Sequence, residues 1–443
     1  MKIQLSEHFT YHKLIRFVLP SIIMMIFTSI YGVVDGLFVS NYVGKTAFAG
    51  LNLIMPFIMA MSALGFMMGT GGSAIVAKTL GEGKKEKANE YFSMIVYVTL
   101  AGGIVLAVVG ILLTKQVSIA LGATGELLDS CILYGRIILI SMPAFMLQNV
   151  FQCFFVTAER PKLGLTVIVL AGVTNMILDF LFIAVFGWGL AGAAFATVCG
   201  ECVGGLLPLV YFGRKNTSPF RLGKARLHWN ILGKTCTNGS SELMTNLSSS
   251  VVNTLFNFQL MHFAGEDGVA AYGTLMYVNF IFIAIFLGYS IGSAPIVSYH
   301  YGARNSDELK NLLTKSLKMI GVWGIGLFAL AQLIASPLAR IFVGYDPDLF
   351  ALTKHGFRIF CLAFLVNGFN IYGSSFFTAL NNGLLSALIS FLRTLVFQIA
   401  AVLLMPMFLG IDGIWGAVFV AEILTLCVTL ICLVRKRNQY HYF

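Results

Sequence analysis

"GRIILISMPAFMLQNVFQCFFVTA", residues 135–158, is answered 221 positions later by "GFRIFCLAFLVNGFNIYGSSFFTA", residues 356–379. Aligned without a gap, Gly135 falls on Gly356, Asn149 on Asn370 and Thr157 on Thr378. A second block, "GGSAIVAKTLGEGKKEKA" from 71, answers "IGSAPIVSYHYGARNSDEL" from 291, so the offset stays at 220 or 221 residues over widely separated blocks. The chain reads as a duplication. Each copy of the first block is also apolar enough, and long enough, to cross a hydrocarbon core of about 30 Å.

Working outward, twelve such stretches recur, at 15–39, 51–77, 92–114, 132–157, 163–186, 190–212, 238–262, 272–300, 317–340, 355–379, 384–408 and 413–434. Hydrophobic residues make up 58% of the 443 positions and charged residues 11%, against roughly half and one quarter in an ordinary globular chain. The expected fold is an all-α integral membrane protein of twelve transmembrane helices in two six-helix repeats. Six is even, so both repeats enter the membrane from the same side and are parallel. Parallel repeats related by an axis along the membrane normal are a transporter signature, with the pathway between the bundles. The expected organisation is an N-terminal lobe over 1–213, a linker over 214–237 and a C-terminal lobe over 238–443 with a short basic tail. The linker carries Pro219 and several Lys and Arg, and its plainest reading is a solvated loop. "MKIQLSEHFTYHKLIRF" is polar and leads straight into a span, which argues against a cleavable signal peptide.

The net charge of +10 does not point to nucleic acid. Twenty-two of the 29 Lys and Arg fall in the N-terminal arm, the C-terminal tail and the even-numbered connections, while Lys45, Lys115, Arg136, Arg340, Lys354 and Arg358 flank the other ends. The positive-inside rule then makes both termini cytoplasmic in a multi-pass cell-membrane protein. Cys199 and Cys202, in "CGEC", have metal-ligand spacing but lie within a membrane span without a second ligand pair, so they read as small apolar residues. No phosphate-cradling loop is present, which argues against ATP as the direct energy source.

Polar groups inside spans are the functional signal, because an ionisable side chain there costs at least a few kcal/mol and usually faces a cavity or a partner. "NMILDF", residues 175–180, interrupts the apolar run 164–189. Asn175 and Asp179, four apart, share one helix face. Thr197 lies nine residues beyond Trp188 and Asp179 nine before it, so a tight hairpin puts the two side chains at matching depth. Asp35 stands near the outer end of the first span. Two carboxylates, a carboxamide and a hydroxyl suit a small hard cation or a proton. Taken singly, Asn and Thr more often bond neighbouring helices. Glu201, Glu242 and Glu422 are further acidic candidates, with Arg393, alone in the eleventh span and the only basic residue well inside a span, as a neutralising partner for one of the last two. Thr28, Gln148, Asn149, Asn367 and Asn370 are candidates for lining the cavity or for coupling.

These residues resemble the multidrug and toxic compound extrusion (MATE) exporters: "LP" opening the first span, an Asp fifteen residues later in "VDGLFVSNYVG", and the Asn-x-x-x-Asp span followed by "GLAGAAFAT". The resemblance covers essentially the whole chain. It implies a V-shaped two-lobe bundle, a cation site at Asp35, Asn175, Asp179 and Thr197, and a first-span proline, Pro20, linked to helix bending. Some members use acidic residues on spans seven and ten; here the tenth span offers Asn367 and Asn370 instead. The implied activity is efflux of organic, cationic or amphiphilic compounds in exchange for Na+ or H+, by a monomer without a cofactor. A wide cavity lined by Met and aromatics is expected. A lipid or oligosaccharide flippase is the nearest alternative, although flippase cavities carry several basic residues. A prenyl-transferring enzyme would need a second Asp-rich motif, which is absent, and a channel would need a filter.

Overall fold

The computed structural model describes residues 3–344 and 346–442. Its helices are α1 (Tyr11–Phe38), α2 (Lys45–Gly81), α3 (Lys85–Ala120), α4 (Gly125–Ile140), α5 (Met142–Thr157), α6 (Pro161–Asp179), α7 (Gly189–Gly213), α8 (Trp229–Gly302), α9 (Ser306–Val343), α10 (Pro347–Phe360), α11 (Phe364–Ala379), α12 (Gly383–Phe391), α13 (Phe397–Leu409) and α14 (Ile411–Tyr440). Short π-helical stretches follow α1, α6 and α12, at Val39–Val43, Phe180–Val185 and Leu392–Val396.

Among the described residues these make twelve spans. α8 is two of them, broken at Gly265, whose φ of 61° and ψ of −149° are open to glycine but not to a side chain. α4 and α5 form one span bent by 56°, because Pro143 denies the ladder an N–H just after Ser141. The matching span of the second repeat, α10 and α11, is interrupted at the equivalent depth by a single 3₁₀ turn, Cys361–Ala363. α8 starts at Trp229, nine residues before the expected span.

An even number of spans leaves both chain ends on one face, here the terminal face. The repeats meet there through glycines. A Cβ on Gly81 would stand 2.0 Å from the Tyr299 carbonyl oxygen, and one on Gly302 would stand 2.0 Å from that of Lys78. Adding 221 to 81 gives 302, and to 78 gives 299, so each contact is the image of the other under the pseudo-two-fold axis. Deeper along the same seam, a Cβ on Gly239 would meet the Met67 carbonyl oxygen at 1.9 Å. Backbone-to-backbone approach of this kind is how helices associate in lipid, where no hydrophobic force drives them together.

The apolar cores show that this seal is one-sided. One buried core takes members from both lobes, among them Phe17, Leu80, Phe154, Tyr289 and Phe377. A second, with Val39, Ile54, Tyr134, Ile183 and Leu190, draws only on the N-terminal lobe and lies in its half remote from the termini. The lobes thus share a core at the terminal face and part toward the other, the V shape that the resemblance implied.

The linker is not a free loop. Its Arg221 and Gly223 N–H groups donate to Asn89 and Ser93 of α3 at 2.7 and 3.2 Å, and Phe220 is buried against Phe92, with ring centroids 5.3 Å apart. The sequence concealed this because single apolar residues in a basic stretch carry no periodic signal.

Candidate functional site

The hairpin between α6 and α7 turns on Gly187 and Gly189, both at positive φ (66° and 56°), with the Trp188 ring stacked on Phe182 at 4.8 Å. It brings Asn175 to Thr197, amide nitrogen to hydroxyl at 3.4 Å. The matching-depth expectation for Asp179 and Thr197 is corrected by one turn. The π stretch Phe180–Val185 fits an extra residue into a turn and climbs less than an α-helix would. Asp179 is freed to face Asp35 of α1, beside Asn175.

The pocket is left unsatisfied. Asp35 Oδ1, both carboxylate oxygens of Asp179 and Asn175 Oδ1 are buried without a hydrogen-bond partner among the described residues. Buried polar groups nearly always find partners, and an unpaired buried carboxylate is costlier still. Four such oxygens on two helices, α1 and α6, thus face one another in a buried pocket. Asp179 is fully buried and Asp35 is 9% exposed.

Two tyrosines missed in the sequence border the pocket. Tyr134 is buried with its hydroxyl unpartnered, close to Thr197, and Tyr31 stands next to Gln148. Tyrosine in an apolar span reads as packing, so only proximity reveals them. Glu201, also buried, accepts from the Ser141 hydroxyl at the α4–α5 bend. Gln148 packs under Gly204, where a Cβ would meet its Oε1. Thr28 is spent on the Met24 carbonyl one turn back, 2.9 Å away. α1 runs continuously through Pro20.

The C-terminal lobe answers differently. Glu422, 221 positions after Glu201, is ion-paired with Arg393 (Nε to Oε1, 2.8 Å) and accepts from the Asn370 amide at 2.7 Å. Thr429 donates to Asn370 Oδ1 at 3.1 Å. With its amide turned to satisfy both faces, Asn367 donates to Glu422 Oε1 at 3.0 Å. Asn367 and Asn370 thus serve Glu422. Arg393→Leu should lower stability by about 3 kcal/mol, and Arg393→Leu with Glu422→Leu should recover most of it, because one partner alone leaves an uncompensated buried charge. Thermal midpoints of the two purified variants check this.

Between the lobes lies a cavity of about 220 Å³. It is bounded by α1, α2 and α5 on one side and by α8, α11, α12 and the π stretch Leu392–Val396 on the other. Asn149, Glu242 and Arg393 line it, as do Gln152 and Asn246, which the sequence reading passed over. Among the described residues, Met25 and Phe66 are its only Met and aromatic contributors. The expectation of a wide, Met- and aromatic-lined cavity is therefore corrected: those side chains lie largely in lobe cores or on the lipid-facing surface, and hydroxyls and amides face the seam. None of the four N-lobe site residues lines this cavity. α5 connects the two places, with Gln148 beside Tyr31 and Gly204 and its neighbour Asn149 toward the cavity.

Twelve spans in two parallel repeats, a V-shaped bundle and a buried pocket of carboxylates in one lobe define the class of two-lobed membrane transporters. The signature of the MatE family matches residues 20–181 and again 243–404, once per repeat, and the chain belongs to this family, the multidrug and toxic compound extrusion transporters. The chain is 22% identical over 435 residues to the multidrug export protein MepA of Staphylococcus haemolyticus, covering 98% of this chain and 95% of that one. Two solved structures share its fold. One is an outward-facing multidrug resistance MATE family transporter of the MOP superfamily (22% identity, TM-score 0.92, 97% and 96% of the chains covered). The other is a MOP superfamily transporter from Pyrococcus furiosus, described by a reversed polarity of its binding pocket (22% identity, TM-score 0.87, 96% and 95% covered).

Proposed function

We propose that the protein is a secondary active exporter. It moves organic, cationic or amphiphilic compounds out of the cell in exchange for Na+ or H+ taken up at Asp35, Asn175, Asp179 and Thr197. The observation that carries this reading is the set of four partnerless oxygens on α1 and α6. A proton shared by the two carboxylates, or a Na+ held by all four oxygens, removes the cost of burying them. Multidrug export in the MepA relatives supports the cargo class. With the basic terminal face in the cytoplasm, the glycine seam is the inner seal and the lobes part toward the outside.

Ion entry from outside and cargo release would then compete for one conformation, since a ligand shifts such an equilibrium only through its differing affinity for the two states. The test is uptake of a fluorescent cation into inside-out vesicles, with a Na+ gradient and a pH gradient imposed separately. Uptake driven by one gradient and abolished by collapsing it identifies the coupling ion. Uptake indifferent to both gradients would end the antiporter reading.

A further inference from the structure

We propose that the cavity between the lobes selects zwitterions: a cargo whose cationic centre sits at Glu242 and whose carboxylate, or comparable oxyanion, is held by Arg393. This rests on the export reading above and narrows its cargo. The Glu242 carboxylate lines the cavity, and among the described residues no hydrogen bond or ion pair engages it. Arg393 also lines it. The guanidinium binds Glu422 through Nε, its two terminal nitrogens have no partner among the described residues, and its side chain is 14% exposed.

The Arg393–Glu422 pair is consequently a fixed dipole. Glu422, 1% exposed and held by Asn370, stands behind, and the positive end faces the cavity. Gly383, the first residue of α12, packs on Thr237 and Asn238 of α8, so from that shared level Glu242 lies about four residues and Arg393 ten residues deeper, or about 6 and 15 Å at roughly 1.5 Å per residue.

Two further orphans point into the same space. Asn149 Nδ2 and Ser290 Oγ line the cavity, belong to residues 2% and 4% exposed, and have no partner. A simple lipophilic cation satisfies Glu242 and leaves these donors and the Arg393 fork bare. A site of buried donors disfavours ligands that cannot accept from it. A carboxylate near the cationic centre accepts from Arg393 through charge-assisted bonds, the stronger kind. At about 220 Å³ the cavity takes a charged headgroup with one ring, below the usual pocket for a whole drug-sized ligand of about 300 Å³ or more.

The test uses benzyldimethylammonio-alkanoates, with one to four methylenes between nitrogen and carboxylate, against their methyl esters and benzyltrimethylammonium. Calorimetric titration of the protein in lipid nanodiscs, with empty nanodiscs as blank, measures binding apart from transport. The wild type is expected to bind the best-spaced zwitterion about tenfold more tightly than its ester. Arg393→Gln with Glu422→Gln removes both partners together; it should abolish that preference and leave ester binding unchanged. Glu242→Gln should weaken zwitterion and ester by a similar factor. Should the double variant not fold, Arg393→Lys takes its place, keeping the ion pair but offering a single nitrogen, and should cut the preference to about threefold. Equal or tighter ester binding by the wild type at every spacing overturns the proposal, as does a preference that survives these substitutions. Intact zwitterion preference without gradient-driven export would instead count against the exporter reading alone.

Discussion

Asp35→Asn is expected to lower gradient-driven export by about a hundredfold or more, equivalent to roughly 3 kcal/mol of lost ion binding, while the folded protein stays as stable as the wild type or becomes more so. The two halves of this expectation share a cause. Asp35 Oδ1 and both Asp179 oxygens have no hydrogen-bond partner among the described residues. The amide substituted at 35 cannot ionise and can donate to Asp179, which relieves the burial cost in the absence of an ion. The substitution thus mimics the loaded state. A carboxylate with a purely structural role would behave in the opposite way, since removing it would strip a partner from its neighbours and lower the thermal midpoint. Initial export rates in vesicles, read beside thermal unfolding of the same preparations, separate the two. Normal export against a gradient by Asp35→Asn would remove that carboxylate from the coupling mechanism.

Gly81→Val and Gly302→Val are each expected to shift the lobes away from the state sealed at the terminal face, by about 3 kcal/mol, at the upper end of the usual cost of overpacking. The obstacle in both is backbone. The added atoms would collide with the carbonyl oxygens of Tyr299 and Lys78, 2.0 Å from where a Cβ must stand. A side chain could rotate away, whereas these carbonyls sit in helical ladders. Because the contacts are images under the 221-residue offset, the two substitutions should act about equally. Gly83, two residues past Gly81, has open space around its Cβ position and lies outside the seam. Gly83→Asn tolerates the positive φ of 79° and should leave the equilibrium alone. Distances between spin labels on the two lobes at the terminal face report the populations. A wild-type distribution in either valine variant would show that the glycine seam does not hold that face shut.

Much of the fold was legible because bilayer thickness and internal duplication leave plain marks. Gly135 and Gly356, Asn149 and Asn370 announce the repeat, and apolar runs of fixed length announce the spans. The face shared by Asn175 and Asp179 follows from helical period alone. The depth comparison of Asp179 with Thr197 fell one turn short, because a π stretch leaves no pattern in residue types and its position depends on neighbouring helices. Tyr134 and Tyr31 were invisible for another reason, since a tyrosine that packs and a tyrosine that borders a site look alike in one dimension. Arg393 was seen, but its choice of Glu422 over Glu242 was open until the eleventh and twelfth spans were placed side by side.

By itself, then, the sequence determined the number of spans, their pairing into parallel halves and which polar residues enter the bilayer, because hydrophobic length and helical period are local properties. The tertiary structure decided which of those polar groups go unpartnered. Glu201 and Glu422 occupy equivalent positions in the two repeats, yet one meets a serine and the other an arginine and an asparagine, while Asp35 and Asp179 meet each other. Whether a buried charge is satisfied depends on side chains contributed by distant helices, and only the packed bundle brings those together.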